Sequence, residues 1–171
     1  NIDVNKKIKI KGTFHSLAEL LNNEELAHCF YGKPYLVIHL RPVDYHRVHY
    51  PFSGTISSSK YVKGSLFPVN QWGQRWIKNL YAVNERVITH VKTDWGQSVL
   101  IQVGALMVGG IKVTYPILSE KDWKNRPKLR FKKGDEMGWF EFGSTVFLMI
   151  DGPRPRLNPD LSVGSEVCVG M

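Results

Sequence analysis

The sequence predicts a mainly β protein of the α+β class, with one or two short helices and an antiparallel β-sandwich or barrel-like architecture, folded as a single domain over residues 1–171. Short segments rich in β-branched and aromatic residues recur along the chain, and glycines and prolines separate them. Few segments carry helix caps. Short strands at close spacing with so few helices favour a mainly antiparallel fold.

The N-terminal part predicts a strand or hairpin followed by helices. Ile2–Ile10 alternates loosely between apolar and polar residues, which suits a strand. Ser16 is an N-cap candidate, and Glu19 three residues later completes a capping-box pattern, so a helix is expected from Ser16 to Leu21. A second short helix is expected over Glu24–Phe30.

The rest of the chain predicts further strands and one long loop. Residues 72–80 are expected to form a helical or irregular connection, 118–133 a polar surface loop, and 163–170 a last short strand pair. Strands are predicted at 35–40, 54–59, 62–67, 83–92, 98–108, 111–115 and 136–150, the last with a tight bend at Gly143.

Composition narrows the possible partners. The formal net charge of +8 favours anionic partners, either nucleic acid or acidic lipid headgroups. The sequence has no zinc-finger spacing, no RNP-like run and no long basic helix, so the charge favours a membrane over nucleic acid. Cys29 and Cys168 are far apart and do not form a metal-type pair.

The segment Phe142-Gly143-Ser144-Thr145 contains a potential nucleophile. The Ser144 hydroxyl lies one peptide bond from the Gly143 carbonyl and is placed to attack it from within the chain. Such a reaction needs a base and a group that stabilises the oxyanion. The alternative interpretation is a glycine–serine bend at the end of an edge strand, and four residues alone favour that alternative.

Two histidines are candidate bases. His46 and His49 lie between prolines in a segment that also carries acidic, basic and tyrosine side chains. They are three residues apart, so an ideal strand would direct them to opposite faces, and they serve one pocket only if the segment turns. The alternative is that each has a structural role. A polar triplet, Asn84-Glu85-Arg86, is either a turn with a surface ion pair or part of an orienting network.

Five segments, taken in their order along the chain, resemble the phosphatidylserine decarboxylase family, and the resemblance covers nearly the whole chain. Phe142 stands where leucine is common in that family. The first four similar segments are Asp44-Tyr45-His46-Arg47-Val48-His49 (the family's DYHRxH), Asn84-Glu85-Arg86-Val87 (its NERV), Gln102-Val103-Gly104-Ala105 and Val108-Gly109-Gly110-Ile111. The fifth is 136–146, in which Glu136-Met137-Gly138, Phe140 and Phe142-Gly143-Ser144-Thr145-Val146 match.

The resemblance implies a self-processing pyruvoyl enzyme that converts phosphatidylserine to phosphatidylethanolamine without a metal or diffusible cofactor. Cleavage between Gly143 and Ser144 would give a β chain of residues 1–143 and an α chain of residues 144–171, with the pyruvoyl group formed from Ser144. His49 would be the base for Ser144, and His46 the proton donor in decarboxylation. Tyr45, Phe142 and Thr145 are candidates for the substrate pocket.

The resemblance also implies a homodimer and peripheral attachment to an anionic membrane, on the cytoplasmic face of a bacterial inner membrane or on an organellar membrane. The family's third processing residue, an acid, lies upstream of the segment matching Ile8–Leu21, and Asp44 matches a different position. Two alternatives stay open: an unprocessed, inactive homologue that binds anionic lipid or a protein partner, and a basic β-domain outside the family that binds polyanions.

Overall fold

Antiparallel strands form most of the ordered elements. The computed structural model describes residues 1–3, 6–10, 12–106, 110–118, 120–126, 128–141, 145–153 and 158–170. The strands are β1 Lys7–Ile10, β2 Thr13–Ser16, β3 Tyr35–His39, β4 Arg47–His49, β5 Gly54–Val62, β6 Arg86–Thr93, β7 Gly96–Val103, β8 Ile111–Val113, β9 Arg130–Phe131, β10 Glu136–Phe140 and β11 Thr145–Asp151. The helices are α1 Leu17–Leu21, α2 Glu24–Phe30, α3 Gln71–Trp76, α4 Leu80–Val83 and α5 Glu120–Lys124.

The strands pair into three sheets. The largest has six strands in the order β3-β11-β7-β6-β5-β9, with β3 and β9 at its edges. A three-stranded sheet has the order β4-β10-β8, and β1 and β2 form a hairpin. All pairings within these sheets are antiparallel. The mainly antiparallel α+β class predicted from the sequence is confirmed.

The largest sheet is held by strands that are apolar on both faces. In β11, Val146 to Ile150 are all buried, and β7 is buried from Ser98 to Val103. A strand buried on both faces needs cover on each side, which agrees with a run of apolar residues rather than an alternation. Residues from the helices and from the three-stranded sheet join the same hydrophobic core.

The first helix begins at the predicted cap, and the second begins at a cap that was not predicted, Asn23. The Ser16 hydroxyl accepts from the Glu19 N–H at 3.3 Å, and the Asn23 side chain accepts from the Leu26 N–H at 2.9 Å. These bonds satisfy N–H groups that a helix start leaves without partners. Glu19 does not close a reciprocal capping box, because its carboxylate accepts from the Asn79 amide at 2.5 Å.

Four element predictions are corrected by the structure. The described residues contain five short helices rather than one or two, since α3 and α4 occupy the connection between β5 and β6. The predicted loop 118–133 contains both α5 and β9. The predicted strand 62–67 is wrong beyond Val62, where β5 ends. Residues 158–170 form turns, so the predicted strand pair is wrong there.

Within the described ranges, no helix is long and apolar enough to cross a membrane.

Candidate active site

The strand order places two connections of the chain beside each other. β3 pairs with β11, and β4 pairs with β10. The loop from β3 to β4, which carries the histidine motif, therefore joins the same two sheets as the connection from β10 to β11. At one end of both connections His39 pairs with Thr145, and at the other the His46 carbonyl accepts from the Phe140 N–H at 3.1 Å.

An ion pair shapes the loop between β3 and β4. The Asp44 carboxylate accepts from the Arg41 backbone N–H at 2.7 Å and from its guanidinium at 2.8 Å. The side chain thus closes a short turn of its own backbone. Hydrogen bonds from Arg41 lower the pKa of Asp44 below its ordinary value. Asp44 consequently stays ionised and serves the loop's shape.

His46 lies at the end of β10 that leads towards Gly143. Its Nε2 lies 2.9 Å from the carbonyl oxygen of Arg41. Because a carbonyl only accepts, Nε2 carries the hydrogen, and the lone pair of the neutral ring is at Nδ1. Proton uptake and release by this ring therefore take place at Nδ1.

His49 lies at the opposite end of β10, opposite Glu136. Its Nδ1 donates to the Gly134 carbonyl at 2.9 Å, and its Nε2 accepts from the Tyr45 hydroxyl at 2.8 Å, with the two rings stacked. The Gly134 bond fixes the tautomer that leaves Nε2 as the basic atom. From Glu136 to Phe140 the strand rises roughly 13 Å, so the two imidazoles act from different ends of β10.

The pairing of β4 with β10 is fastened by a charge pair on the outer side. The Arg47 guanidinium donates to the Glu136 carboxylate at 2.6 Å and lies over the Trp139 ring. The pair is exposed, so it contributes little to stability. The backbone pairing of β4 with β10 sets the positions of both histidines, and the Arg47–Glu136 hydrogen bond joins the two strands diagonally across this register.

Thr145 is the described residue closest in sequence to the predicted cleavage site. It is buried, with 1% exposure, and its hydroxyl lies 3.4 Å from Nδ1 of His39. Sequence analysis missed His39, since only the register of β3 against β11 brings it to Thr145. Phe142, Gly143 and Ser144 lie outside the described residues, so their predicted roles stay predictions.

The Asn84-Glu85-Arg86 segment is a buried clamp rather than a turn with a surface ion pair. Asn84 is fully buried and bonds both the N–H and the carbonyl of Phe67, as well as the Gly104 carbonyl. Arg86 is 3% exposed, and burial lowers its pKa to about 10. Its guanidinium donates at 2.6–3.0 Å to the carbonyls of Glu19, Leu20, Ala82 and Asn84.

The clamp joins the helices to the start of β6, an inner strand of the large sheet. The carbonyls that accept from Arg86 are the last ones of α1 and α4, which lack partners within their helices. A cation at two helix C-termini is also favoured by the helix dipoles. Arg86 pairs with Val103, which pairs with Thr145. The clamp therefore fixes the row of paired residues across the large sheet that includes Thr145, the first residue of β11.

Gln102 is a buried amide on the strand next to β11. Its side chain is fully buried, and neither its oxygen nor its nitrogen has a hydrogen-bond partner among the described residues. Gln102 lies opposite Val146, so both side chains share one face of the sheet. An unsatisfied buried amide is costly, and such groups often serve a ligand or a reaction. The sequence analysis noted Gln102 only as part of a core strand.

The described residues contain no group of three or more His, Cys, Asp or Glu side chains that could hold a metal ion. The site is therefore described by imidazoles, hydroxyls and amides. Beside β10 lie His46 and His49, each with a fixed tautomer. At the start of β11 lies the buried hydroxyl of Thr145, and on the next strand lies the buried side-chain amide of Gln102, which has no hydrogen-bond partner among the described residues.

Comparison with known proteins shows the family. The sequence model of phosphatidylserine decarboxylase matches residues 1–171. The chain belongs to the phosphatidylserine decarboxylase family.

Several curated relatives are named phosphatidylserine decarboxylase proenzyme. The one from Brevibacillus brevis is 41% identical over 96% of this chain, that from Haemophilus influenzae strain 86-028NP 38% over 99%, and that from Anaeromyxobacter sp. strain K 35% over 99%. The chain spans 62–63% of the length of these relatives.

Proposed function

We propose that this chain carries the catalytic machinery of a phosphatidylserine decarboxylase, with a pyruvoyl group formed by self-cleavage between Gly143 and Ser144. The observation that carries the proposal is the pairing of the ends of two connections. The loop with His46 and the connection that holds Gly143 and Ser144 join the same pair of sheets, held by the His39–Thr145 and His46–Phe140 pairings.

Self-processing requires a base for the Ser144 hydroxyl. The family resemblance gives His49 this role, and Nε2 is its basic atom because Nδ1 donates to the Gly134 carbonyl. His49 opposes Glu136, at the end of β10 away from Gly143, so processing requires Ser144 and His49 to approach each other along β10. The Tyr45 hydroxyl now donates to that Nε2 and would have to release it. Attack of the Ser144 oxygen on the Gly143 carbonyl replaces the peptide bond by an ester. Elimination then releases the Gly143 carboxylate, and hydrolysis of the remaining residue with one water releases ammonia.

The second histidine suits the proton transfer that follows loss of carbon dioxide. A pyruvoyl group supplies a ketone that condenses with the amine of phosphatidylserine and accepts electron density as carbon dioxide leaves. His46 holds its Nε2–H on the Arg41 carbonyl and exchanges its other proton at Nδ1. It therefore has a fixed orientation and one free position for delivering a proton to carbon.

The residues around the start of β11 fit such a group. Pyruvoyl oxygens need hydrogen-bond donors in a site shielded from water. Thr145 is buried, its hydroxyl lies near His39, and the amide of Gln102 is buried without a partner among the described residues. The substrate, the anionic membrane surface and the homodimer belong to this proposal and come from the family resemblance and the basic charge.

The test is the intact mass of the full-length protein under denaturing conditions. We expect two chains split after Gly143, the smaller one lighter than the simple hydrolysis product by one ammonia and blocked at its N-terminus. Ser144→Ala should give one uncleaved chain. A wild-type protein that stays intact after purification and incubation would overturn the proposal.

Histidine variants separate the two steps. His49→Ala should block or slow cleavage, whereas His46→Ala should cleave but fail to release carbon dioxide from phosphatidylserine. His28→Ala is the matched control, because His28 is exposed on α2 and should change neither step. An uncleaved His46→Ala protein alongside a cleaved His49→Ala protein would exchange the two assignments.

A further inference from the structure

Two of the five tryptophans of the chain lie exposed on α3. Trp72 is 69% exposed and Trp76 is 71% exposed, whereas Trp123 is buried and the other two are half-buried. Trp72 and Trp76 are four residues apart, so they lie on the same face of the helix. The opposite face holds the buried Gly73 and Gln74. Exposed aromatic groups gathered in this way mark an interaction surface.

The charge around these tryptophans has one sign. From Lys60 to Asn84 the sequence contains four cations and no acid, and all four cations are exposed. Arg75 lies over the Trp76 ring, and Lys78 follows the helix. The nearest acids, Glu19 and Glu85, are engaged by the Asn79 amide and the Tyr61 hydroxyl.

The surface lies at the end of the large sheet where β11 begins. The register aligns one row of residues across the sheet: His39, Thr145, Val103, Arg86 and Val62. The connections that leave this row carry seven of the fourteen exposed large apolar side chains of the described residues. These are Val43 and Tyr45 after β3, Phe67, Trp72, Trp76 and Val83 between β5 and β6, and Leu106 after β7.

From these observations we infer that residues 67–78, with Trp72 and Trp76 at their centre, dock the protein onto the surface of an anionic phospholipid bilayer. Tryptophan favours the boundary between water and acyl chains, and exposed lysine and arginine are attracted by anionic headgroups. The inference rests on the proposed function, because docking at this end of the sheet brings the start of β11 towards the lipid. The combination of aromatic and cationic side chains favours a bilayer over a second copy of this basic chain, whose like charge would repel it.

The test uses vesicles of phosphatidylglycerol in phosphatidylcholine, since phosphatidylglycerol is anionic but has no amine to react at the candidate active site. Binding of the full-length protein is followed by sedimentation with the vesicles and by the blue shift of tryptophan emission. We expect Trp72→Ala/Trp76→Ala to weaken binding about tenfold or more. Arg75→Gln and Lys78→Gln should each weaken it about fivefold at low salt.

Matched controls lie on other parts of the surface. Lys121→Gln/Lys124→Gln removes the same charge from α5, and Ile117→Ala removes an exposed apolar side chain after β8. Both should leave vesicle binding within about twofold of wild type. Equal loss in the α5 variant would mean general charge attraction and would overturn the inference. So would unchanged binding of the double tryptophan variant, or a loss of self-association in place of a loss of vesicle binding.

Activity measurements keep the two proposals apart. On a short-chain, monomeric phosphatidylserine the double tryptophan variant should retain wild-type turnover, whereas on phosphatidylserine vesicles its turnover should fall with its binding. Equal loss on both substrates would place the tryptophans in the active site and overturn the docking role. A protein that binds phosphatidylglycerol vesicles through Trp72 and Trp76 but never forms two chains would overturn the proposed function alone.

Discussion

Gln102 is buried in the large sheet, and neither its side-chain oxygen nor its nitrogen has a hydrogen-bond partner among the described residues. Its neighbour on the same strand, Gln97, shows the opposite situation: its oxygen accepts from His90 and its nitrogen donates to Asp151. Both residues lie on β7, so the difference is one of partners rather than of strand.

Gln102→Leu should therefore raise the free energy of unfolding by about 1–3 kcal/mol, because it removes a buried polar group that has no partner among the described residues. Urea unfolding in the Ser144→Ala background, where a single chain unfolds, measures the change. Gln97→Leu is the control and should destabilise. If the Gln102 amide also serves the pyruvoyl group, turnover of the processed Gln102→Leu protein should fall although its stability rises. A less stable Gln102→Leu protein would contradict this account.

His15 makes stability depend on pH. It is buried beside Tyr81, and burial lowers its pKa below 6.5, the value expected in the unfolded chain. As pH falls, the unfolded state therefore binds the proton first, and the free energy of unfolding should decrease below about pH 6.5. His15→Gln should reduce the slope of this part of the profile, measured by urea unfolding at several pH values, and the contribution of His90, whose pKa burial also lowers, should remain. His28→Gln, an exposed histidine, should keep the wild-type slope; an equally flat profile there would rule out His15 as the source.

At the scale of elements, β10 is the strand that positions both histidines, and it tolerates no extra volume at Gly138. This residue lies between Val48 of β4 and Val113 of β8, at a point where the register with β4 shifts. A methyl group at Gly138 would collide with the Lys112 carbonyl and the Val113 backbone. The glycine is thus required by close approach of the neighbouring strand.

Gly138→Ala should push β8 away from β10, lower the free energy of unfolding by about 1–3 kcal/mol, and slow the cleavage at Ser144. The rate of appearance of the two chains, followed by denaturing electrophoresis, measures the second effect. Lys112→Ala is the control, because it shortens the side chain of the β8 residue whose carbonyl approaches Gly138 without adding volume between the strands. Cleavage at the wild-type rate in Gly138→Ala would show that the spacing of β8 and β10 does not matter for processing.

Local patterns predicted the elements that depend on neighbours in sequence. Ser16 caps α1 as its side chain and position predict, and β3 begins at Tyr35, immediately after Pro34. The same reasoning fails where tertiary contacts decide. Residues 63–69 carry side chains that are typical of a strand, yet they form a single isolated bridge, at Ser65, and otherwise run as a connection. The side-chain amide of Asn84 holds this connection, because it bonds both the backbone N–H and the backbone carbonyl of Phe67.

The candidate site shows the same division. The roles of His46, His49 and Ser144 were predicted from the resemblance of their segments to the family, and they stay predictions because Ser144 lies outside the described residues. The position of His39 beside Thr145 could not be predicted, since it depends on pairing residues 106 apart in sequence. Likewise, Arg86 is buried because its guanidinium donates to backbone carbonyls of α1 and α4, and no local sequence pattern predicts these contacts.

At the scale of the whole molecule, the predicted cleavage would place β11, an inner strand of the large sheet, on a separate chain. Every residue of β11 pairs with β7, and Thr145 to Met149 also pair with β3. The buried side chains of Val146 to Ile150 contribute on the order of 10 kcal/mol of apolar burial. The smaller chain is therefore expected to stay in place after the peptide bond is broken.

The processed full-length protein should consequently behave as one particle in native buffer and as two chains only after denaturation. Native mass spectrometry should give the sum of both chains, and denaturing mass spectrometry should give each one alone. Ser144→Ala, as the control, should give one chain under both conditions. Removal of denaturant should not restore activity as readily as for a single chain, because β11 must re-enter between β3 and β7 from a separate molecule. Release of the smaller chain in native buffer without denaturant would contradict the central position of β11.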